Sequence, residues 1–353
     1  MREREELRAL RHEVGPIRPP SEGGNSSLLL RVTRNCPWSL CKFCYGKPYG
    51  RGRFSIRGVE EVKEEVRRLG RAVEVLERMG ERAWEFLFSL PEEERGGLHN
   101  LFSWFFSGRK TVFLQDADTL LVPTPRLVEI LEEVRRRLGE MERITCYARG
   151  RSLFRKPERE LRQLREAGLS RLHVGLESGD EEVLRRMNKG LTPTEVVEGG
   201  RRAREAGLQL SLYYILGLGG EERWEEHTRE TARVINEVDP EFVRVRRLVP
   251  LRGTPLFREV EEGIFRLQSP HGELRELKLL VEELEFSGRL CFDHFANPFY
   301  LTPRGPRWLL KQDYDGYLFP REKEEVLKRI EEGLEIEETL YVSSADLSSL
   351  EIL

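Results

Sequence analysis

The 353-residue chain is poor in cysteine, histidine and lysine and carries almost no net charge. Five cysteines, a low and odd number, exclude a disulfide-stapled scaffold. Lys plus Arg number 59 against 62 Asp plus Glu, a formal net charge of -3, which argues against a surface that grips nucleic acid through long-range charge. No apolar run approaches the ~18 residues needed to span a bilayer. The opening stretch MREREELRALRHEV is charged and has no signal-peptide core. These absences predict a soluble, cytoplasmic protein. What the chain has in excess is charge of both signs, 34% of all residues, with 49 Arg against 10 Lys. That composition favours ion-pair networks and predicts a thermophilic source.

Three of the five cysteines, Cys36, Cys41 and Cys44, fall within nine positions. In a reducing compartment such thiols are free to become thiolate ligands, so the cluster marks a metal or redox site. The segment follows a short apolar run of strand length, Leu28 to Thr33, and precedes a helix near Val59 to Leu69. From residue 111 strand-like runs alternate with helices: 111–115, 143–147, 171–177, 209–216 and 242–248. Helices fill the gaps at 125–138, 157–167, 180–187, 194–206 and 222–236. The spacing of about 30 residues is that of a strand-helix unit in a parallel sheet. Counting the first strand there are six units, which predicts an α/β fold, an incomplete (β/α)6 barrel of the TIM type with chemistry at the C-terminal strand ends. The cysteines follow strand one at that end.

Around this core, residues 1–23 read as a peripheral N-terminal arm broken by Gly15, Pro16, Pro19 and Pro20. Residues 71–109, dense in Trp84, Phe86, Phe88, Phe102, Trp104, Phe105 and Phe106, read as a helical insert whose aromatics pack as core and could form a lid. The barrel is expected over 24–255. Residues 256–353, with a helix at 321–334, are expected to form an α-rich extension that caps the barrel mouth.

Three thiolates on one tight loop can hold three irons of a [4Fe-4S] cubane and leave the fourth open to a ligand. The same loop could hold zinc completed by a remote His, or an electron-transfer cluster whose fourth ligand is Cys146 or Cys291. Paired short knuckles, the usual zinc arrangement, are missing among the six scattered histidines.

The loop resembles that of the radical S-adenosylmethionine (radical SAM) superfamily, with Phe43 as the aromatic before the last cysteine. Four residues rather than three separate Cys36 from Cys41, as in some subgroups with a CPW-type loop. The segment Gly175-Leu-Glu-Ser-Gly179, with Leu184 and Lys189-Gly190, is similar to the fourth-strand motif of the branch that holds the elongator catalytic subunit, the methylthiotransferases and coproporphyrinogen dehydrogenase. Tyr214-Ile-Leu-Gly-Leu-Gly-Gly220-Glu221 is similar to the fifth-strand motif, and Gly253-Thr254-Pro255 follows strand six as in that branch. Gln115-Asp116-Ala117-Asp118 stands where the second-strand Gly-Gly-Glu usually lies.

The resemblance implies an enzyme in which a reduced [4Fe-4S] cluster on Cys36, Cys41 and Cys44 cleaves S-adenosylmethionine to a 5'-deoxyadenosyl radical that abstracts hydrogen from substrate. Glu177 would meet the cofactor's ribose or methionyl part, Ile215 would pack on adenine, and the backbone at Gln115 and Asp116 would meet the methionine amine. Phe43, Tyr45, Arg149, Ser211 and Gly217 complete the expected cofactor-binding set. A reductant such as ferredoxin or flavodoxin is implied as partner.

Strand alternation sorts the remaining residues. Outward positions of such a barrel are covered by helices, so Leu172, Val174, Leu176, Val243 and Val245 point out. His173, Gly175, Glu177, Arg244, Arg246, Arg31, Thr33, Gln115, Thr145, Tyr147, Arg149, Ser211 and Tyr213 then point into the lumen. A polar, cation-rich lumen suits carboxylate or phosphate recognition. The alternative use of Arg244 and Arg246 is to pair with Glu177 and other acids and hold the barrel together. The candidate catalytic set is Tyr147, His173, Tyr213, Arg246 and His294, acting on a small or medium anionic metabolite. Cys146 alternates away from the lumen and reads as a small buried residue.

With two cysteines outside the loop, an auxiliary cubane with three or four Cys ligands is not available, which disfavours sulfur insertion. Neither a cobalamin-binding nor a nucleic-acid module is visible. An RNA-modifying enzyme is the second reading within the family, and a non-enzymatic electron-transfer or structural metal protein is the reading outside it.

Overall fold

The computed structural model describes residues 2–349 apart from 11, 18, 20, 21, 23–25, 48, 49 and 51. Pro20 of the arm and residue 24, the expected start of the barrel, lie outside them. The central sheet has eight strands in chain order: β1 (Leu28–Arg31), β2 (Thr111–Gln115), β3 (Arg143–Arg149), β4 (Leu169–Glu177), β5 (Gln209–Leu216), β6 (Phe242–Arg247), β7 (Arg289–Cys291) and β8 (Tyr317–Leu318). Pairing is parallel from β1 through β7, and β8 runs antiparallel to β7. The six units are therefore continued by two short strands drawn from beyond residue 256.

Helices Thr124–Leu138, Glu158–Glu166, Glu181–Arg186, Pro193–Glu205 and Gly220–Val238 lie between the strands. Their starts are set by local chemistry. Thr192 caps Pro193–Glu205 in a reciprocal box with Glu195, and Asp180 accepts from the N–H groups of Glu182 and Val183. The outward strand positions Leu172, Val174, Leu176, Val243 and Val245 are all fully buried under these helices, as alternation requires.

Three expectations are corrected. The insert does not start at residue 71, because helix Val59–Met79 runs unbroken through that position before helices Arg82–Ser89 and Glu92–Phe106. Its aromatics form a stack, with Trp84 5.8 Å from Phe88 and 5.1 Å from Phe106, but none of them lines the cavity at the barrel mouth. The insert instead covers the sheet edge: Asn100 Oδ1 accepts from Leu29 N–H at 2.9 Å and its Nδ2 donates to Ser27 O at 2.8 Å. An uncovered edge strand would offer its backbone to other chains.

The arm is not peripheral either. His12 takes up the other edge group of β1, with Nε2 2.9 Å from Leu29 O. Gly15 N–H donates to Gln115 Oε1 at 2.8 Å, and Gln115 Nε2 donates to Ile17 O. Glu22 is 2% exposed and reaches His173 at 2.7 Å and Arg143 at 3.0 Å. Arg143 opens β3 and Gln115 closes β2, so the described residues of the arm meet the barrel at both ends of its strands. Sequence reading saw breakers and polarity; burial of a carboxylate against inward-facing cations overrides both.

Third, Arg244 and Arg246 do not pair with Glu177. Both hold Asp293, at 2.7 and 3.0 Å, while Glu177 holds Lys189 at 2.7 Å.

Candidate active site

The cysteine loop leaves β1 and is clamped at its base, where Thr33–Arg34 pairs antiparallel with Ser55–Ile56. Inside it, Cys44 N–H donates to Cys41 O at 3.1 Å and Ser39 N–H donates to Cys36 Sγ at 3.4 Å. Lys42 ties the loop to the barrel on both sides: its N–H donates to Met187 O at 2.9 Å, and its carbonyl accepts from Leu256 N–H at 3.2 Å. The longer Cys36–Cys41 spacing carries Trp38, whose Nε1 donates to Asn188 O at 2.7 Å. The indole ring lies on Gly190, where a Cβ would stand 2.5 Å from it, and Gly190 also has φ +65. Arg149 sits 5.1 Å over the same ring and donates to Lys189 O at 3.3 Å.

All three thiols line one cavity of about 410 Å3. Of the expected cofactor residues, Phe43, Arg149, Glu177 and Ile215 line it with them. All five candidate catalytic residues do so as well: Tyr147, His173, Tyr213, Arg246 and His294.

Five expected residues are not in the lining. Gln115 is occupied by the arm, and Asp116 holds Arg31 at 2.7 Å and Asn35 N–H at 3.3 Å. Ser211 accepts from Arg244 Nε at 3.2 Å, and Gly217 N–H donates to Glu276 Oε1 at 2.8 Å. Tyr45 lies on the loop but outside the cavity wall.

The sequence reading missed Lys189, Arg247 and Ile17 as wall residues. Lys189 was legible as a motif letter but not as a partner. Its Nζ bonds Glu177, and Gly175 makes room for the pair: a Cβ there would meet Glu177 Oε1 at 2.2 Å and Lys189 Nζ at 2.9 Å.

Burial pushes the Cys44 thiol up to about 12, and the neighbouring Cys41 and Cys36 add to it. Burial raises Cys41 too, while the Lys189 cation pulls it back. Fixed positive charge beside buried thiols favours the thiolate that binds metal. Burial and then Arg246 bring His294 down to about 4, so its imidazole is neutral at neutral pH. His173 is likewise lowered by burial, against the pull of Glu22.

Residues 89–232, spanning β2 to β5 and their helices, match the Radical SAM superfamily. That segment carries the radical SAM superfamily's domain. The cofactors of that superfamily are a [4Fe-4S] cluster and S-adenosylmethionine. The heme chaperone HemW of Bacillus subtilis is 23% identical over 180 residues, 51% of this chain and 47% of that protein. An uncharacterized protein of Methanocaldococcus jannaschii is 27% identical over 95 residues, 27% of this chain and 29% of that one. The chain thus spans less than half the length of these curated relatives. Among solved structures, the radical S-adenosylmethionine methyltransferase TsrM of Kitasatospora setae is 18% identical with a TM-score of 0.46, over 67% of this chain and 39% of that one.

The residues present fit the family's cofactors. Three clustered thiols are the donor set of a site-differentiated cubane. Arg149 lines the same cavity, and its guanidinium bonds backbone carbonyls and the Trp38 ring among the contacts described, which leaves its charge available to a carboxylate. Among the described residues no helix is long and apolar enough to cross a membrane.

Proposed function

We propose that this radical SAM enzyme acts on a small or medium anionic metabolite held in the barrel lumen. The observation that carries this reading is that the thiol loop and a guanidinium from β6 line the same cavity. Cys36, Cys41 and Cys44 would hold the cluster, with Arg149 and Lys189 as the adjacent cations, and Phe43, Glu177 and Ile215 as the walls against which S-adenosylmethionine lies. Bound there, the two groups supply one-electron cleavage of a carbon-sulfur bond and a hydrogen-abstracting 5'-deoxyadenosyl radical.

The protein's share is orientation and exclusion. The buried floor keeps water and stray hydrogen donors away, and Arg246, 15% exposed at its side chain and braced by Asp293 at 3.0 Å, offers its guanidinium to substrate. The Tyr147 and Tyr213 rings pack on each other with centroids 6.1 Å apart, and with His173 they form one wall against which substrate would lie. His294, neutral, can accept or donate a hydrogen bond but is not a cationic acid at neutral pH. The reading includes a one-electron donor such as ferredoxin or flavodoxin and a cytoplasmic setting.

The test is anaerobic reconstitution with iron and sulfide, then dithionite and S-adenosylmethionine, with 5'-deoxyadenosine as the readout. Production that disappears in Cys41→Ala is the expected result. A fully loaded cluster that yields no 5'-deoxyadenosine overturns the assignment.

A further inference from the structure

His173 sits in the middle of β4, four residues before Glu177. At ~3.3 Å per residue along a strand tilted ~36° or more to the barrel axis, it lies about 10 Å deeper in the lumen than the Glu177–Lys189 pair beside the thiols. It is fully buried, it lines the cavity, and its Nε2 is 2.7 Å from Glu22 Oε1.

Glu22 is held ionised. Burial opposes its charge, but His173, Arg143 and Arg171 together keep its carboxyl below the usual range. A carboxylate can only accept, so Nε2 of the neutral ring carries the proton and donates it. Nδ1 is then a bare lone pair, and it is buried with no hydrogen-bond partner among the described residues. Glu22 is the positioning residue that fixes this tautomer, as a carboxylate behind a metal-bound histidine does.

The lumen holds other polar atoms without partners among the described residues: Arg246 Nη2, whose residue lines the cavity as His173 does, and Thr145 Oγ1 and Arg244 Nη2 outside its lining. Arg244 and Arg246 share the single carboxylate of Asp293. One acceptor, His173 Nδ1, and one guanidinium donor, that of Arg246, therefore belong to the wall of one cavity. Burial, with Arg244 and Arg171 after it, depresses His173, and the positive field of the two disfavours an ammonium at Nδ1 and favours a neutral donor such as a hydroxyl.

We propose that His173 is a specificity-determining residue that accepts a hydrogen bond from a substrate hydroxyl while Arg246 holds the substrate's carboxylate, making the substrate a hydroxycarboxylate. This rests on the anionic-substrate reading and narrows it. The depth of His173 assigns the hydroxyl to substrate rather than to the ribose of the cofactor.

The experiment measures dissociation constants of matched acids on the cluster-loaded full chain: malate against succinate, lactate against propionate, 4-hydroxybenzoate against benzoate. In at least one pair the hydroxy acid binds about tenfold tighter, and the preference vanishes in His173→Phe. Affinity for S-adenosylhomocysteine stays the same in that variant. Nitrogen-15 NMR of histidine-labelled unsubstituted protein reads the tautomer without any variant, and His173 is expected to be protonated at Nε2.

Several outcomes overturn the proposal. A proton on Nδ1 does so, as does equal binding within every pair, or a tenfold loss of S-adenosylhomocysteine affinity in His173→Phe with hydroxy acids unaffected. If the acids bind through Arg246 but show no hydroxyl preference, the hydroxyl assignment fails alone. If Arg246→Ala leaves their affinity unchanged, or none of them binds, the anionic reading fails with it.

Discussion

The two ends of the lumen are built from the same residue types and put them to opposite uses. At the floor, Arg171 bonds Gln209 Oε1 through Nε and Nη2 at 3.1 and 2.7 Å and Tyr314 through Nη1, while Arg143 takes Glu22 at 3.0 Å. No side-chain nitrogen or oxygen of Glu22, Arg143 or Arg171 is buried without a partner among the described residues. Higher up, Arg244 and Arg246 each leave an Nη2 unpartnered, and His173 leaves its Nδ1 so. A buried polar atom without a partner costs ~1–3 kcal/mol, a cost a fold does not carry in several neighbouring atoms without a use for them. The saturated floor is structural; the unsaturated lumen above it is where a polar ligand completes the hydrogen bonding.

That contrast makes opposite predictions for substitutions at the two levels. The largest effect on chemistry belongs to the mouth. Cys41→Ala removes one of three cluster ligands and should lower 5'-deoxyadenosine formation by at least ~10^3-fold, while thermal stability of the apoprotein stays within about 1 kcal/mol. Iron content and the visible absorption of the cluster check the first, and a melting curve the second. An unchanged yield would mean that the thiols are not the ligands.

The largest effect on stability belongs to the floor. Glu22→Ala leaves Arg143, Arg171 and His173 without their shared carboxylate, and breaking a buried pair from one side costs ~3–5 kcal/mol. A denaturant midpoint that moves by less than ~1 kcal/mol would show that the arm is not an integral part of the barrel. Arg246→Ala, one level up, should do the reverse. Asp293 keeps Arg244 at 2.7 Å, so the fold loses little, whereas affinity for the anionic substrate falls about tenfold to a hundredfold with cofactor cleavage retained. Titration of substrate against the loaded variant reads it.

The sequence made the mouth legible and hid the floor, for reasons that can be named. Cys36, Cys41 and Cys44 are close in sequence, and strand alternation alone put His173, Tyr213 and Arg246 inside. Both signals are local. Glu22 reaches His173 across 151 residues of chain and Asp293 reaches Arg244 across 49, and no periodicity predicts which distant acid enters a lumen. The errors share that cause. Gln115 and Asp116, at the end of β2, read as backbone contacts of the cofactor, and what sequence did not show is that the arm and Arg31 hold their side chains. The aromatic insert read as a possible lid because aromatic density does not say which surface it covers; Asn100, an unremarked residue, fixes it to the β1 edge.

The last predicted effect concerns pH and lies between the two levels. His294 lines the cavity, and burial, with Arg246 next, takes its folded pKa from 6.5 down to about 4. The unfolded chain binds a proton at this position as pH falls below ~6.5, and the folded chain does not until pH nears 4. Folding is therefore undisturbed above pH 6.5 and is progressively penalised between 6.5 and 4, by up to about 3 kcal/mol for this one group. His294→Gln should flatten that part of the stability curve while leaving the alkaline side unchanged. Denaturant midpoints at pH 7.5, 6, 5 and 4.5 measure it. Equal slopes in both proteins would place the imidazole in water, and the wall of the cavity on that side would then be open to solvent.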